Sequence, residues 1–190
     1  MEAVITTFTG KRVNPLNLRE EDICVEDIAH ALSLCNRFAG HTKFPISVAQ
    51  HSIFVSELCI DIDNENDNVT GYGKQALLHD ASEAYLGDMT KWLKHTPAME
   101  AFREAEDRMQ RVIYKRFGCD PFMYEEVVQA DKFMVRWEAH HGYGPDFEFP
   151  HPAYTPLSKA ELTRLPTWEP WGWKHAEHEF LYMVKILGIK

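Results

Sequence analysis

The sequence lacks the patterns that would place it in a membrane or organise it around cysteines. No apolar run approaches the roughly 20 residues that a membrane-spanning helix needs, and the N-terminus shows neither the basic nor the apolar region of a signal peptide. The four cysteines are scattered without a Cys-x-x-Cys pair, which argues against a zinc ribbon or a disulfide framework. We therefore expect a cytoplasmic protein with reduced thiols and no membrane partner.

Basic residues are scarce relative to acidic ones. Against 29 Asp and Glu the chain carries 20 Lys and Arg, a formal net charge of −9. Because binding to duplex nucleic acid relies on basic patches, this balance argues against a nucleic-acid polymer as partner. A small anionic substrate stays compatible, provided that a bound cation or a local Arg or Lys group holds it.

Apolar residues recur at helical spacing along most of the chain, which predicts an all-α fold in a single domain, 1–190. The β-rich residues 4–9 and 12–14 flank Gly10-Lys11 and predict a short N-terminal β-hairpin. The predicted helices cover residues 25–35, 45–59, 73–83, 97–117, 121–140, 157–165 and 173–187. Residues 61–72 and 141–156 are predicted loops. The helical core spans about 26–141, and a C-terminal helical tail spans 157–190.

A His-Asp pair follows an apolar run in the helix predicted over 73–83. His79 and Asp80 follow three apolar residues, and Glu83 comes one turn later. Adjacent helical residues point about 100° apart, so the pair cannot face one dry core. Both side chains can contact one ion if the helix ends there and the ion lies over its edge, as in a metal site. A helix end with solvated polar residues is the alternative.

Two more polar residues interrupt apolar helix faces. His51 lies on an apolar stripe, where it is either a hydrogen-bonded core residue or a metal ligand. Asp131 has apolar neighbours, and unless it lies at a surface boundary it must be paired or bind a metal, because burying a bare carboxylate is costly. Together the candidates form a mixed nitrogen and oxygen site for one divalent transition metal: His51, His79, Asp80 and Asp131.

This order of ligands resembles the HD-domain metal-dependent phosphohydrolases. Flanking motifs resemble more closely the bacterial and prophage 5′-deoxynucleotidases: Arg37-Phe38, His-Asp-Ala-Ser-Glu at 79–83, Gly-Asp at 87–88 and Gln-Ala-Asp at 129–131. The resemblance covers roughly residues 26–141. It implies an all-helical HD-domain bundle in which the four candidate ligands hold one divalent metal, with Co, Mn, Zn, Ni and Fe not distinguished.

The resemblance also implies roles around the metal. Arg37 would bind the substrate phosphate with its guanidinium fork, Glu83 would position or deprotonate the attacking water, and Asp88 would lie near the scissile ester. The implied substrate-binding residues are Arg37, Phe38, His51, Asp80, Asp88, Met89, Thr90, Lys91 and Asp131. The expected reaction is hydrolysis of a nucleoside 5′-monophosphate, with a preference for deoxyribose, to nucleoside and phosphate.

One position departs from the related deoxynucleotidases, which carry Trp directly after the Arg. Phe38 stands there in this chain; it keeps an apolar wall but is smaller and lacks the indole N–H. Discrimination against a 2′-hydroxyl is therefore the least supported part of the expected activity. His41, in the same loop, is equally compatible with substrate contact and with ordinary loop polarity.

Two alternative functions stay open. A deoxynucleoside triphosphate triphosphohydrolase on the same scaffold would need more cations at the pocket, which Lys43, Lys91 and Lys94 can supply. A non-catalytic nucleotide-binding HD module would be favoured by loss of Glu83 or of a ligand, and all of these are present. A homodimer is suggested by the resemblance and by the aromatic tail with Trp168, Trp171 and Trp173.

Overall fold

The computed structural model describes residues 3–65, 71–151, 154–163 and 169–190. Within these ranges the regular structure is helical apart from one two-stranded antiparallel sheet, which confirms the predicted all-α class and N-terminal hairpin. Strand β1 (Ile5–Thr6) pairs with β2 (Arg12–Val13), with Ile5 opposite Val13. The turn between them holds Gly10 at φ 86°, a left-handed conformation that glycine adopts at little steric cost.

Nine α-helices lie in the described part of the chain, and short 3₁₀ turns join several of them. In chain order they are α1 (Val25–Leu34), α2 (Val48–Glu65), α3 (Tyr72–Leu77), α4 (Glu83–Leu86), α5 (Lys91–Lys94), α6 (Glu100–Phe117), α7 (Glu125–Tyr143), α8 (Lys159–Leu162) and α9 (Trp173–Ile186). A 3₁₀ turn at Arg37–Gly40 lies between α1 and α2, and another at Pro97–Met99 precedes α6.

Helix α2 is the central element, since it packs against α1, α3, α7 and α9. One apolar cluster joins α1, α2, α3, α6 and α9 and includes the fully buried Leu32, Ile113 and Phe180. A second cluster joins α2, α3 and α7 around Met134 and Trp137. Because α2 and α3 contribute to both clusters, the segments that carry the candidate histidines are held by packing on more than one face.

Several boundaries differ from the sequence-based prediction, and α2 and α6 each begin three residues later than expected, at Val48 and Glu100. Helix α2 continues to Glu65 through the stretch predicted as a loop from residue 61, and Asp61 lies on its solvent-exposed side. The helix predicted over 73–83 is interrupted, because α3 ends at residue 77 and α4 begins only at residue 83. Helix α7 starts at residue 125 rather than 121, since the Asp120 carboxylate accepts a hydrogen bond from the Phe122 amide and stabilises a turn.

The C-terminal part agrees with the prediction more closely. Helix α7 runs three residues past the predicted boundary at 140, and Ser158 and Glu161 form a capping box at the start of α8. Residues 164 and 165 of the predicted helix, and Trp168 of the aromatic tail, lie outside the described residues. Among the described helices none is long and apolar enough to span a bilayer.

Candidate metal centre and catalytic pocket

The imidazoles of His51, from α2, and His79, from the turn after α3, meet in the protein interior. Their Nε2 atoms lie 3.2 Å apart, and the side chains are 0% and 2% exposed. Nδ1 of His51 donates to Oε1 of Glu138 at 2.9 Å, and Nδ1 of His79 donates to the Ala76 carbonyl at 2.7 Å. Because both Nδ1 atoms are engaged, Nε2 is the atom that each ring can offer to a metal.

Two carboxylates approach the same point. Oδ1 of Asp131 lies 3.2 Å from Nε2 of His51 and 3.9 Å from Nε2 of His79. These three residues bring one ligand atom each to within 4.8 Å of one another, a group that can hold a metal ion. Asp80 lies beside this three-residue group, with Oδ2 3.2 Å from Nε2 of His79 and 3.7 Å from Nε2 of His51.

The spacing of the two imidazole nitrogens fits a bound metal ion. Two nitrogens that ligate one ion at about 2.1 Å, with angles between square and tetrahedral, lie roughly 3.0–3.4 Å apart. The 3.2 Å between the two Nε2 atoms falls in that range. Imidazole with carboxylate suits several divalent transition metals, and the hydrogen bonds on the two Nδ1 atoms are the kind that usually orient metal-bound histidines.

The charges of the cluster shift one another's pKa values. Burial and the Arg37 guanidinium favour neutral His51, but Glu138 and Asp131 outweigh them and raise the pKa of His51 to about 9. Burial alone would raise the pKa of Asp131, yet its hydrogen bond to His51 and the charge of that ring hold the pKa at about 2. The preceding histidine likewise keeps the pKa of Asp80 well below its ordinary value against the effect of burial. Both carboxylates are therefore ionised, whereas a metal that binds His51 would have to displace the proton that this raised pKa keeps on the ring.

Arg37 reaches the cluster from the 3₁₀ turn between α1 and α2. Its Nη1 donates to Oδ2 of Asp80 at 3.1 Å and its Nε donates to Oε2 of Glu138 at 3.0 Å. The Arg37 side chain is 11% exposed, and that of Glu138 is fully buried. With its other oxygen Glu138 accepts the hydrogen bond from His51. One carboxylate thus orients both a candidate metal ligand and the guanidinium.

The backbone next to Arg37 is strained. Phe38 (φ 54°) and Ala39 (φ 50°) both adopt the left-handed α conformation, which costs non-glycine residues about 1–2 kcal/mol each. Arg37 itself is anchored by a hydrogen bond from its amide to the Ile46 carbonyl at 2.8 Å. With this geometry the consecutive Arg37 and Phe38 side chains line the same cavity. Strain of this kind at a pocket is a mark of functional positioning.

Glu83, the first residue of α4, faces the same cavity. Nζ of Lys94 lies 3.6 Å from its Oε1 and 2.8 Å from Oε1 of Glu106. The other oxygen of Glu83 is buried and has no hydrogen-bond partner among the described residues. Burial, followed by the charges of Asp80 and Asp88, raises the pKa of Glu83 well above its ordinary value. A cleft carboxyl with a raised pKa is typical of proton-transfer groups.

A cavity of about 720 Å³ extends from these groups, a size usual for small-molecule sites. His41 and His95 contribute to its lining, and His51 and His79 are buried and do not. The other residues predicted from the sequence all line it: Arg37, Phe38, Asp80, Glu83, Asp88, Met89, Thr90, Lys91 and Asp131. The structure therefore brings every predicted site residue to one cavity or to the candidate metal-binding group beside it.

The chain has relatives among known proteins, although no family model matches it. It is 35% identical over 134 residues to the uncharacterised protein YfdR of Escherichia coli (strain K12), which is 70% of this chain and 69% of that protein. The chain belongs to the YfdR family. An uncharacterised protein of Rhodobacter capsulatus is 34% identical over 131 residues, covering 66% of this chain and 63% of the relative's length.

Two parts of the site in this YfdR-family protein are absent from the sequence-based prediction. Glu138 follows Asp131 by seven residues, which places both carboxylates on one face of α7 two turns apart. This spacing could have indicated from the sequence that Glu138 belongs to the site. The other part is a series of aromatic rings contributed by residues 143–154, in a stretch predicted as a loop without a role. The high content of Phe and Tyr in this stretch could have indicated an aromatic binding surface from the sequence.

Proposed function

We propose that the chain is an HD-type metal-dependent phosphohydrolase that converts nucleoside 5′-monophosphates, with a preference for deoxyribose, to nucleoside and phosphate. The observation that carries the proposal is the convergence of two imidazoles and two carboxylates beside a guanidinium in one cavity. A non-catalytic nucleotide-binding module would not require Glu83, whose unpartnered oxygen and raised pKa on the same cavity favour an enzyme.

One divalent transition metal would be held by His51, His79, Asp80 and Asp131. Such an ion, when bound, neutralises charge on a phosphate oxygen and lowers the pKa of a bound water. The group of three with mutually close ligand atoms supports part of this assignment, and Asp80, the fourth ligand predicted from the sequence, lies beside that group. Asp80 also accepts a hydrogen bond from Arg37, which would link the metal site to phosphate binding.

The remaining steps fall to side chains of the cavity. Nη2 of Arg37 has no hydrogen-bond partner among the described residues, so we assign it to a phosphate oxygen. As a carboxylate, Glu83 would take a proton from the attacking water, with Lys94 holding its other oxygen. Burial raises the pKa of Asp88, and we assign to its protonated form the transfer of a proton to the departing 5′-oxygen.

The distribution of cations favours a monophosphate over a triphosphate substrate. Lys94 lies against Glu106 and Glu83, so it is not free for phosphate groups. Lys43 does not line the cavity. Among the described residues, the lysines that line it are Lys91 and Lys94. Of the three lysines that could serve a triphosphate, Lys91 is therefore the one in the described ranges that lines the cavity without a carboxylate partner.

An HPLC assay with metal-loaded protein tests the proposal. Deoxynucleoside monophosphates should be converted to nucleoside and phosphate faster than ribonucleotides, and deoxynucleoside triphosphates should be poor substrates. Release of inorganic triphosphate would support the triphosphohydrolase instead, and nucleotide binding without turnover would support the module.

The cytoplasmic location and the homodimer stay predictions.

A further inference from the structure

The cavity has an aromatic wall that the proposed chemistry does not use. Most of its rings come from the end of α7 and the segment that follows, and the others come from the turn after α1 and from α5. The aromatic wall consists of Phe38, Trp92, Tyr143, Phe147, Phe149 and Tyr154. No member carries a charge, whereas the rest of the lining includes carboxylates, Arg37 and Lys94.

The rings contact one another in an unbroken series. Phe38 meets Tyr143 edge to face with centroids 5.6 Å apart, and Tyr143 stacks on Phe147 at 4.4 Å with 20° between the planes. Phe149 lies 5.0 Å from Phe147 and 5.0 Å from Tyr154. The neighbouring rings fix one another's orientation, so the wall presents aromatic surface without further ordering of side chains.

The wall keeps aromatic surface accessible. Phe38, Tyr143, Phe147 and Phe149 are only half-buried and Trp92 is 39% exposed, whereas Tyr154, at 7%, is the buried member of the wall. Rings that served only to fill the core would be buried as fully as Trp137 is, at 2%. Accessible aromatic surface inside a concave site is instead the kind of surface on which a flat ring stacks.

The wall begins next to the proposed phosphate site. Phe38 follows Arg37 in sequence, and the guanidinium carbon lies 5.8 Å from the Phe38 ring centroid. A nucleoside monophosphate has the same order of parts, an anionic group, a sugar and then a flat aromatic base. The polar and the aromatic ends of the cavity match the two ends of such a molecule.

We propose that the aromatic wall is a nucleobase subsite, in which the base stacks on the ring surface around Tyr143 and Phe147. The inference rests on the proposed function for the phosphate end and adds the recognition of the base. Stacking on aromatic side chains tolerates different bases because every base has a π-face. The subsite therefore accepts several bases and holds purines more tightly than pyrimidines, since purines offer the larger ring area.

Binding of deoxyadenosine, which has no phosphate, tests the subsite apart from catalysis. Isothermal titration calorimetry should show that the wild type binds deoxyadenosine and not 2-deoxyribose. Phe147→Ala should weaken deoxyadenosine binding about 10-fold, within the effect usual for loss of one stacking ring. The matched control is Phe8→Ala, which removes a 60% exposed ring that stacks on His30 away from the cavity, and it should bind as the wild type does.

Kinetics with and without a base complete the test. The wild-type kcat/KM for dAMP should exceed that for 2-deoxyribose 5-phosphate, and Phe147→Ala should reduce this ratio by about the same 10-fold. If Phe147→Ala does not fold by circular dichroism, Phe147→Leu replaces it, since it keeps the apolar volume and removes the ring.

The outcomes separate the two proposals. Equal kcat/KM for the two substrates in the wild type would overturn the subsite and leave the phosphohydrolase in place. Deoxyadenosine binding that depends on Phe147, without hydrolysis of any monophosphate, would support the subsite and overturn the phosphohydrolase. Equal losses in the Phe147 and Phe8 variants would also overturn the subsite.

Discussion

Nδ1 of His51 and Oε1 of Glu138 lie 2.9 Å apart, and both side chains are fully buried. The second carboxylate oxygen of Glu138 binds Nε of Arg37. A candidate metal ligand and the proposed phosphate-binding residue are therefore oriented by one side chain. Glu138 does not line the cavity, so we expect it to act through these two neighbours.

Replacing Glu138 tests this positioning role. Glu138→Gln keeps the shape of the side chain but removes the charge that accepts the His51 proton. We expect divalent-metal affinity to fall about 10–100-fold, the usual effect of losing such a supporting group. Calorimetric titration with Zn²⁺ or Co²⁺ measures it, and Glu125→Gln, at the exposed start of the same helix, is the control. Wild-type affinity in the Glu138 variant would show that its hydrogen bonds do not tune the site.

Glu83 should affect turnover without affecting metal binding. Glu83→Gln cannot accept a proton from water, so we expect kcat to fall about 10²–10⁴-fold, the scale of general acid–base groups. Elemental analysis should find the same metal content as in the wild type. Glu104→Gln, on the exposed face of α6, serves as the control. Near-normal turnover in the Glu83 variant would show that Glu83 is not a catalytic residue and serves only as a carboxylate at the start of α4.

Phe38 should set sugar selectivity more than rate. Phe38→Ala removes an apolar wall, and Phe38→Trp adds ring area where the deoxynucleotidases that the sequence resembles carry Trp. We expect the ratio of kcat/KM for dAMP to that for AMP to fall in the first variant and rise in the second. An apolar surface discriminates against an added hydroxyl by a factor of about 10² in kcat/KM at most, so neither ratio should change by more than this factor. Paired assays with dAMP/AMP and dGMP/GMP check this, and ratios unchanged in both variants would remove the sugar-reading role.

The left-handed conformation of Ala39 should be measurable as a change in the free energy of unfolding when this residue is replaced by glycine. Because glycine enters this region at little cost, Ala39→Gly should raise the free energy of unfolding by up to about 1 kcal/mol. Ala101→Gly, at an exposed position within α6, should instead lower it by about 0.5–1 kcal/mol. Urea denaturation compares the two. A loss of stability at Ala39 equal to that at Ala101 would contradict the strained conformation.

The cluster of His51, His79 and Asp131 could be anticipated because polar residues interrupt apolar helical patterns there, and a buried polar group needs a partner. The break in the helix after Leu77 could not be predicted from the sequence, because residues 78–82 contain neither Gly nor Pro. Gln110 of α6 stabilises that break: its side chain donates to the Leu78 carbonyl at 2.7 Å and accepts from the Ser82 amide at 3.0 Å. These hydrogen bonds come from 28 to 32 residues away, beyond the reach of local sequence patterns.

Tertiary context also explains what else the sequence leaves open. Neither Phe38 nor Ala39 favours a positive φ, so only the surrounding structure can impose it. The aromatic wall needs the end of α7 to lie near the turn that carries Phe38, a contact between residues more than 100 positions apart in the chain. Glu138 is the exception, since its spacing from Asp131 was visible in the sequence.

The most direct test of the central claim measures bound metal and phosphate release in the same preparations of wild type and Asp80→Asn. We predict that the wild type holds one divalent transition metal per chain by elemental analysis and releases phosphate from dAMP. The Asp80→Asn variant should lose the metal and the activity together. Full metal occupancy in Asp80→Asn, or a metal-loaded wild type that releases no phosphate from any nucleoside monophosphate, would contradict the account.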